Sequence, residues 1–270
     1  MASVTQRIKQ IKQPYGGYLK PSMFKTIKLP SNKVLFPSEN INQGIVGMTV
    51  DYLTRFILTN NKEEAFKISL DGAVIAQENN IKNAIEHANK LLDAIKELDD
   101  ESIVNACALV GYDVWFRNTQ AAILASNNIP KIPDSHTIEN IRIMVKRSLD
   151  FFKQYGPITK DGFTFQANSE ELITDKQNGG YTLTVNSGDG DFLTKDTLWD
   201  FKVSKNKLKN EQTLQLLMYW IMGQHSQQPI YQSITKLGIY NPRLNVVYLL
   251  DVNKIPQSII KAVEDDVICY

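Results

Sequence analysis

The chain has little cysteine, little histidine and no long apolar run, and each shortage excludes a class of protein. Its 270 residues include two cysteines, Cys107 and Cys269, too few for a disulfide framework or for a four-cysteine iron–sulfur cluster. The three histidines, His87, His136 and His225, stand apart and form no zinc-ligand pattern. Because no apolar run is long enough for a membrane span or a signal-peptide core, we expect a cytoplasmic protein without membrane contact.

The sequence also lacks the G-x-x-x-x-G-K-[ST] phosphate loop, so it does not encode its own ATP-driven motor. The formal net charge of +1 conceals a basic N-terminal segment, because residues 1–38 contain no acid. Tyr15, Tyr18 and Phe24 are interleaved with its basic residues, which suits phosphate contact with base stacking. The alternative is a basic arm that only makes the chain more soluble. The basic residues are Arg7, Lys9, Lys12, Lys20, Lys25, Lys28 and Lys33.

A short hairpin between Asp191 and Lys202 carries the densest group of reactive side chains. Both arms have strand-forming apolar residues around a polar turn at 195–197. With a two-residue turn, Asp191 and Asp200 face each other with Cβ atoms about 5 Å apart, and Lys202 projects from the same face. Since opposed like charges destabilise a hairpin, we expect a divalent cation between them, with Lys202 positioning a water. The alternative is an ordinary exposed hairpin with a solvated charged face.

Three further segments accompany the hairpin. A helix is predicted over 210–223, with Gln215 and Tyr219 four residues apart on one face. The glycines of the segment 188–191 let the backbone approach a ligand closely. The segment 47–56 has the pattern of an amphipathic helix and carries Asp51 in an apolar setting.

Four patterns, taken in chain order, resemble the ordered motifs of the PD-(D/E)XK nucleases, in the RecB-like, Cas4-like branch without its iron–sulfur cysteines. They are Gly47-x-x-x-Asp51, Gly188-x-x-Asp191, Asp200-x-Lys202 and Gln215-x-x-x-Tyr219. The resemblance covers residues 181–224 well, residues 40–56 loosely and little else.

The resemblance implies a metal site and a catalytic lysine. Asp191 and Asp200 would be ligands of Mg²⁺ or Mn²⁺, the carbonyl of Phe201 an additional ligand, and Lys202 the catalytic lysine. The first motif departs from the family pattern, because Asp51 stands where His is commoner. An acid suits a hard cation, so Asp51 is the predicted third acid. Glu170 or Glu171 is the alternative.

The resemblance also implies contacts with nucleic acid. Gln215 and Tyr219 would line the site or contact the substrate. Lys205 and Lys207 directly follow the predicted site, where a scissile strand would pass, although they equally suit a solvated loop.

The fold that the resemblance implies is α/β, with a PD-(D/E)XK restriction-endonuclease-like core. Such a core is a mixed central sheet flanked by helices, here with a large helical region inserted between the first motif and the sheet. Periodicity predicts helices at 40–58, 79–98, 101–126, 137–155 and 256–267, strands at 163–166, 181–185, 234–240 and 245–252, and a hairpin at 191–203. We divide the chain into a basic arm (1–38), a first-motif helix of the nuclease core (39–58), a helical region (59–158) and the remaining nuclease core (159–270).

The predicted function is that of a Mg²⁺- or Mn²⁺-dependent deoxyribonuclease that hydrolyses DNA phosphodiester bonds. It would act alone or in a repair, phage or defence system, with a helicase or a defence-system subunit as protein partner. One alternative is a DNA-binding or assembly subunit with the same fold and little catalysis. A sequence-specific restriction-type endonuclease is the other.

Overall fold

The chain divides into two compact units, which we call the sheet unit and the helical unit. The sheet unit comprises Met1–Pro30 and Phe151–Tyr270, and the helical unit comprises Ser31–Asp150. The structure is a computed structural model that describes residues 2–125, 131–166 and 179–270.

The sheet unit is built on an open, mixed sheet of seven strands. The strands are β1 (Ala2–Ser3), β2 (Lys25–Lys28), β3 (Lys160–Gln166), β4 (Val185–Leu193), β5 (Thr197–Phe201), β6 (Lys236–Asn241) and β7 (Val246–Asp251). Their order is β1-β4-β5-β6-β7-β2, and β3 also pairs with β4. The β1–β4 and β5–β6 pairs are parallel and the others antiparallel. The α/β class and the mixed sheet agree with the prediction.

Helices make up much of the remaining described chain. They are α1 (Val4–Gln10), α2 (Gln43–Thr59), α3 (Lys62–Ala65), α4 (Lys67–Glu78), α5 (Ala84–Ala94), α6 (Asp100–Val110), α7 (Asp113–Arg117), α8 (Thr119–Ala125), α9 (Ser135–Tyr155), α10 (Asn210–His225), α11 (Pro229–Gln232) and α12 (Gln257–Ala262). Short 3₁₀ segments lie at Pro21–Met23 and Val252–Lys254, and a π-helical segment at Val263–Ile268 follows α12. No helix of the described residues is long and apolar enough to cross a membrane.

Separate apolar cores cover the two faces of the central sheet. Consecutive side chains of a strand point to opposite faces, so neighbouring residues enter different cores. Leu198 of β5 packs in the larger core, with residues of α10 such as Leu217. The neighbouring Trp199 packs in an aromatic core on the other face with Phe151 and Tyr240. The rings of Phe151 and Tyr240 stack with centroids 4.1 Å apart. A strand buried on both faces is held in one register, because a slip of one residue would exchange the two cores.

The helical unit is organised around a buried carboxylate. Asp113 is fully buried and accepts hydrogen bonds from the hydroxyls of Tyr52 at 2.6 Å and Ser69 at 2.5 Å. Arg117 lies one turn later, with its Nε 3.5 Å from the same carboxylate. These partners compensate the desolvation of the charge. The network joins α2, α4 and α7.

Residues 2–30 differ most from the prediction of a basic arm. They contribute β1, α1 and β2 to the sheet unit, and β2 pairs with β7 along its whole length. Their contacts are with residues far along the chain, which local periodicity does not record.

Three other predictions differ in detail. The predicted first-motif helix is present as α2 but belongs to the helical unit. The helix predicted over 101–126 is divided into α6, α7 and α8, with Gly111 and Asn118 as the C-caps of α6 and α7. The strand predicted over 181–185 begins only at Val185, where β4 starts.

Candidate active site

The hairpin of β4 and β5 has the predicted register. Phe192 pairs with Trp199 and Leu193 with Leu198. The next bond of the hairpin runs from the amide of Thr194 to the carbonyl of Thr197, at 3.0 Å. The loop is therefore the two residues 195–196, and continuing this register places Asp191 opposite Asp200.

Three reactive side chains of the hairpin share the face that is covered by α10. Leu193 and Leu198 belong to the core on that face. By alternation, Asp191, Asp200 and Lys202 project to the same side. The amide of Lys202 continues the β5–β6 ladder by donating to the carbonyl of Tyr240 at 2.9 Å. The position of the lysine is thus fixed by the sheet.

The carboxylate of Asp200 is the most confined group of the cluster. Its side chain is 4% exposed, and its Oδ1 lies 2.9 Å from Nζ of Lys202. Its Oδ2 is buried and has no hydrogen-bond partner among the described residues. Asp191 is directed towards the same strand, because its Oδ2 accepts a hydrogen bond of 2.5 Å from the amide of Phe201.

The cluster perturbs the ionisation of its members. Burial, and then the charge of Asp191, raise the pKa of Asp200 to about 6, although Lys202 opposes this shift. Burial acts to lower the pKa of Lys202, but the two carboxylates outweigh it and raise that pKa above its usual value. The lysine is therefore a cation at neutral pH, paired with the carboxylate of Asp200.

The helix α10 supplies the two further residues that the sequence predicted. Nε2 of Gln215 donates to the hydroxyl of Tyr219 at 2.9 Å, and this hydroxyl donates to the carbonyl of Asp189 at 2.6 Å. A Cβ at Gly188 would lie 3.0 Å from the Tyr219 ring, so the glycine allows the close approach of helix and strand. Burial is the main cause of the raised pKa of Tyr219. The tyrosine holds the backbone of β4 two residues from Asp191.

The loop after β5 carries Lys205 and Lys207, both exposed. It is attached to the β6–β7 turn, because the side-chain amide of Asn241 donates to the carbonyl of Ser204 at 2.8 Å. Asn241 is buried, and sequence reasoning missed it. The only available signal was an asparagine before proline in a turn, which marks the turn but not its contact with another loop.

Among the described residues, no third acid joins Asp191 and Asp200 in a group that could hold a metal ion. Asp51 lies on α2 in the helical unit, where its Oδ1 accepts a hydrogen bond of 3.0 Å from Arg55. Glu170 and Glu171 lie outside the described residues. Within residues 2–125, 131–166 and 179–270, no group of three His, Cys, Asp or Glu side chains is placed to hold a metal ion. The ligand roles of Asp51 and of the Phe201 carbonyl stay predictions.

The donor set at the hairpin suits a hard divalent cation. It contains the carboxylates of Asp191 and Asp200, and a buried oxygen of Asp200 lacks a hydrogen bond among the described residues. Mg²⁺ is commonly held by one or two carboxylates, with water and substrate oxygens completing its shell. The chemistry of these two side chains fits such an ion.

Comparison with known proteins gives no match. No protein-family model, no curated protein and no solved structure matches this chain.

Proposed function

We propose that the chain is a Mg²⁺- or Mn²⁺-dependent deoxyribonuclease of the RecB-like PD-(D/E)XK type. The observation that carries the proposal is the cluster of Asp191, Asp200 and Lys202, in which a buried carboxylate oxygen has no hydrogen-bond partner among the described residues. An unsatisfied buried acceptor costs about 1–3 kcal/mol, and a cation bound at this oxygen would offset that cost. Perturbed ionisation in such a cluster is typical of functional sites.

The surrounding fold supports the finer assignment to a PD-(D/E)XK core. The two acids and the lysine lie on a hairpin inside a mixed sheet, and a helix that carries Gln215 and Tyr219 covers the same face. This order of hairpin and helix along the chain is the one that the last three motifs imply.

Each side chain has a distinct task in phosphodiester hydrolysis. A divalent cation held by Asp191 and Asp200 would supply Lewis-acid polarisation of the scissile phosphate. Lys202, kept protonated by the two carboxylates, orients the attacking water and stabilises the negative charge that develops on the phosphate. Tyr219 fixes the β4 backbone next to Asp191, which keeps the carboxylate in place. Lys205 and Lys207 contribute positive charge for the DNA backbone.

The first experiment compares cleavage of linear and circular, single- and double-stranded DNA in Mg²⁺, Mn²⁺ or EDTA. We expect cleavage only with metal, and a rate lower by about 10²–10³-fold in Lys202→Ala, the usual effect of losing one charge-stabilising group. Lys195→Ala is the matched control, because Lys195 is an exposed lysine at the turn of the same hairpin. It should cleave like the wild type.

The outcomes separate the candidate functions. Equal cleavage by Lys202→Ala and Lys195→Ala would contradict the assignment of the site. DNA binding without cleavage under any condition would favour the binding or assembly subunit, for which the shortage of a third described acid is the supporting observation. Discrete fragments from long DNA would indicate a restriction-type endonuclease.

A further inference from the structure

A tight turn at 14–17 presents one aromatic ring to solvent. The amide of Gly17 donates to the carbonyl of Pro14 at 2.8 Å and closes the turn. Gly16 and Gly17 have φ values of 82° and 88°, a region that side chains other than glycine rarely adopt. Tyr15 stands at the tip and is 101% exposed. The turn therefore holds an aromatic side chain away from every core of the protein.

The base of this turn is anchored on the first residues of α10. A Cβ at Gly17 would lie 2.5 Å from Cβ of Asn210, so the glycine backbone rests directly on the helix. The hydroxyl of Thr213 donates to the carbonyl of Leu19, and both residues are fully buried. An exposed ring on an anchored base loses little conformational entropy when a partner stacks on it.

Two exposed lysines flank the ring. Lys12 precedes the turn and Lys20 follows it, and neither forms an ion pair with another described residue. The carbons of the Lys20 side chain lie 3.6–3.8 Å from the Cβ position of Gly16, so this side chain lies along the turn. Arg7 is different, because its guanidinium donates to the carbonyls of Asp266 and Val267. Lys12 and Lys20 are thus available to an anionic partner.

The turn at 14–17 and the Gln215–Tyr219 pair contact different sides of α10. Gln215 and Tyr219 follow Asn210 by five and nine residues. At 3.6 residues per turn they point about 140° and 180° away from Asn210 around the helix axis. The exposed Lys207 and Lys209 lie in the loop that leads into this helix.

We infer that the turn at 14–17 is a stacking platform for single-stranded DNA. Tyr15 stacks on a base, and Lys12 and Lys20 contact the phosphates on either side of it. Aromatic rings with flanking positive charge bind single strands because unpaired bases expose their faces, which a duplex does not. The inference deepens the proposed function and rests on it.

The test measures binding of a fluorescent oligothymidine and of a duplex of equal length to the full chain in EDTA, so that no cleavage occurs. We expect Tyr15→Ala to weaken single-strand binding about tenfold, the effect of losing one stacked base, and to leave duplex binding unchanged. Tyr15→Phe keeps the ring and should bind like the wild type. Lys12→Ala/Lys20→Ala should reduce the slope of log K against log salt by about 1.4, whereas Lys195→Ala should not change it.

Parallel cleavage assays separate this inference from the proposed function. Unchanged single-strand affinity in Tyr15→Ala, with wild-type cleavage intact, would overturn the platform and leave the nuclease standing. If the wild type cleaves nothing and Tyr15→Ala still loses single-strand affinity, the platform is supported and the nuclease is refuted. An equal loss for duplex and single strand would also overturn the platform, because stacking requires unpaired bases.

Discussion

The buried carboxylate of Asp200 is expected to destabilise the metal-free protein at neutral pH. Its pKa is raised from 3.8 to about 6, so the folded state must release a proton that the unfolded state has already lost. The contribution of this carboxyl to the free energy of unfolding is therefore fully present below about pH 4 and is lost as the pH rises through about 6. We expect the free energy of unfolding of the wild type in EDTA to fall between pH 5 and pH 8, and that of Asp200→Asn, which does not titrate at this position, to fall less. Urea denaturation of both proteins at pH 5 and pH 8 measures this.

A second aspartate of the same hairpin provides the control with the opposite sign. The hydrogen bond from Lys236, at 2.7 Å, lowers the pKa of Asp196. Its contribution is present above the unfolded pKa and lost as the pH falls through the folded one. Asp196→Asn should therefore be slightly less stable than the wild type at pH 8, by a small amount because the side chain is 43% exposed. If the stability of Asp200→Asn fell with pH as steeply as that of the wild type, Asp200 would not be the titrating group.

At the scale of single residues, the sequence predicts the placement of side chains that are close together along the chain. The two-residue turn and the alternation of a strand are enough to place Asp191, Asp200 and Lys202 on one face. They do not predict the hydrogen bond from Asn241 to Ser204, or the contact of Tyr219 with the carbonyl of Asp189. Those contacts join separate elements, and their residue types suit many other partners.

The hydroxyl of Tyr219 links α10 to the backbone of β4 by a hydrogen bond. Tyr219→Phe removes the donor of a partly buried hydrogen bond to the carbonyl of Asp189, which should cost about 1 kcal/mol of stability. Tyr231 is the matched control, because it packs in the same core and its buried hydroxyl has no hydrogen-bond partner among the described residues. We expect Tyr231→Phe to be neutral or stabilising. Thermal denaturation of both variants tests the difference, and equal losses would contradict a specific role for the Tyr219 hydroxyl.

Elements with a buried apolar pattern were predicted well, and short polar ones were missed. The strands β6 and β7 and the helix α10 have apolar cores bounded by turn residues, and their predicted bounds are close to those observed. The strand β2 has the sequence Lys-Thr-Ile-Lys, which is mostly exposed and lies at the edge of the sheet. Its pairing with β7 supplies the stability that its own composition lacks.

The division of the whole molecule was the least predictable property. Residues 1–30 belong with 151–270 because β1 pairs with β4 and β2 with β7, far along the chain. Single-sequence patterns contain no signal for such pairings. The helical unit, by contrast, was visible as a long region of helical periodicity between the first motif and the sheet.

The two units should respond differently to Mg²⁺. An ion held by Asp191 and Asp200 binds the folded sheet unit and not the unfolded chain, so Mg²⁺ at a hundred times its Kd should stabilise it by about 2.7 kcal/mol. Hydrogen exchange with and without Mg²⁺ should show increased protection in peptides that cover 185–203 and 210–219.

The substitution of one ligand distinguishes this binding from a general salt effect. Asp200→Asn should lose the stabilisation and the added protection, because it removes a charged oxygen ligand. Asp196→Asn lies on the same hairpin, outside the proposed ligand set, and should retain both. A wild type that neither Mg²⁺ nor Mn²⁺ stabilises would refute the metal site. Protection confined to the helical unit would place the ion elsewhere, since Asp191 and Asp200 both belong to the sheet unit.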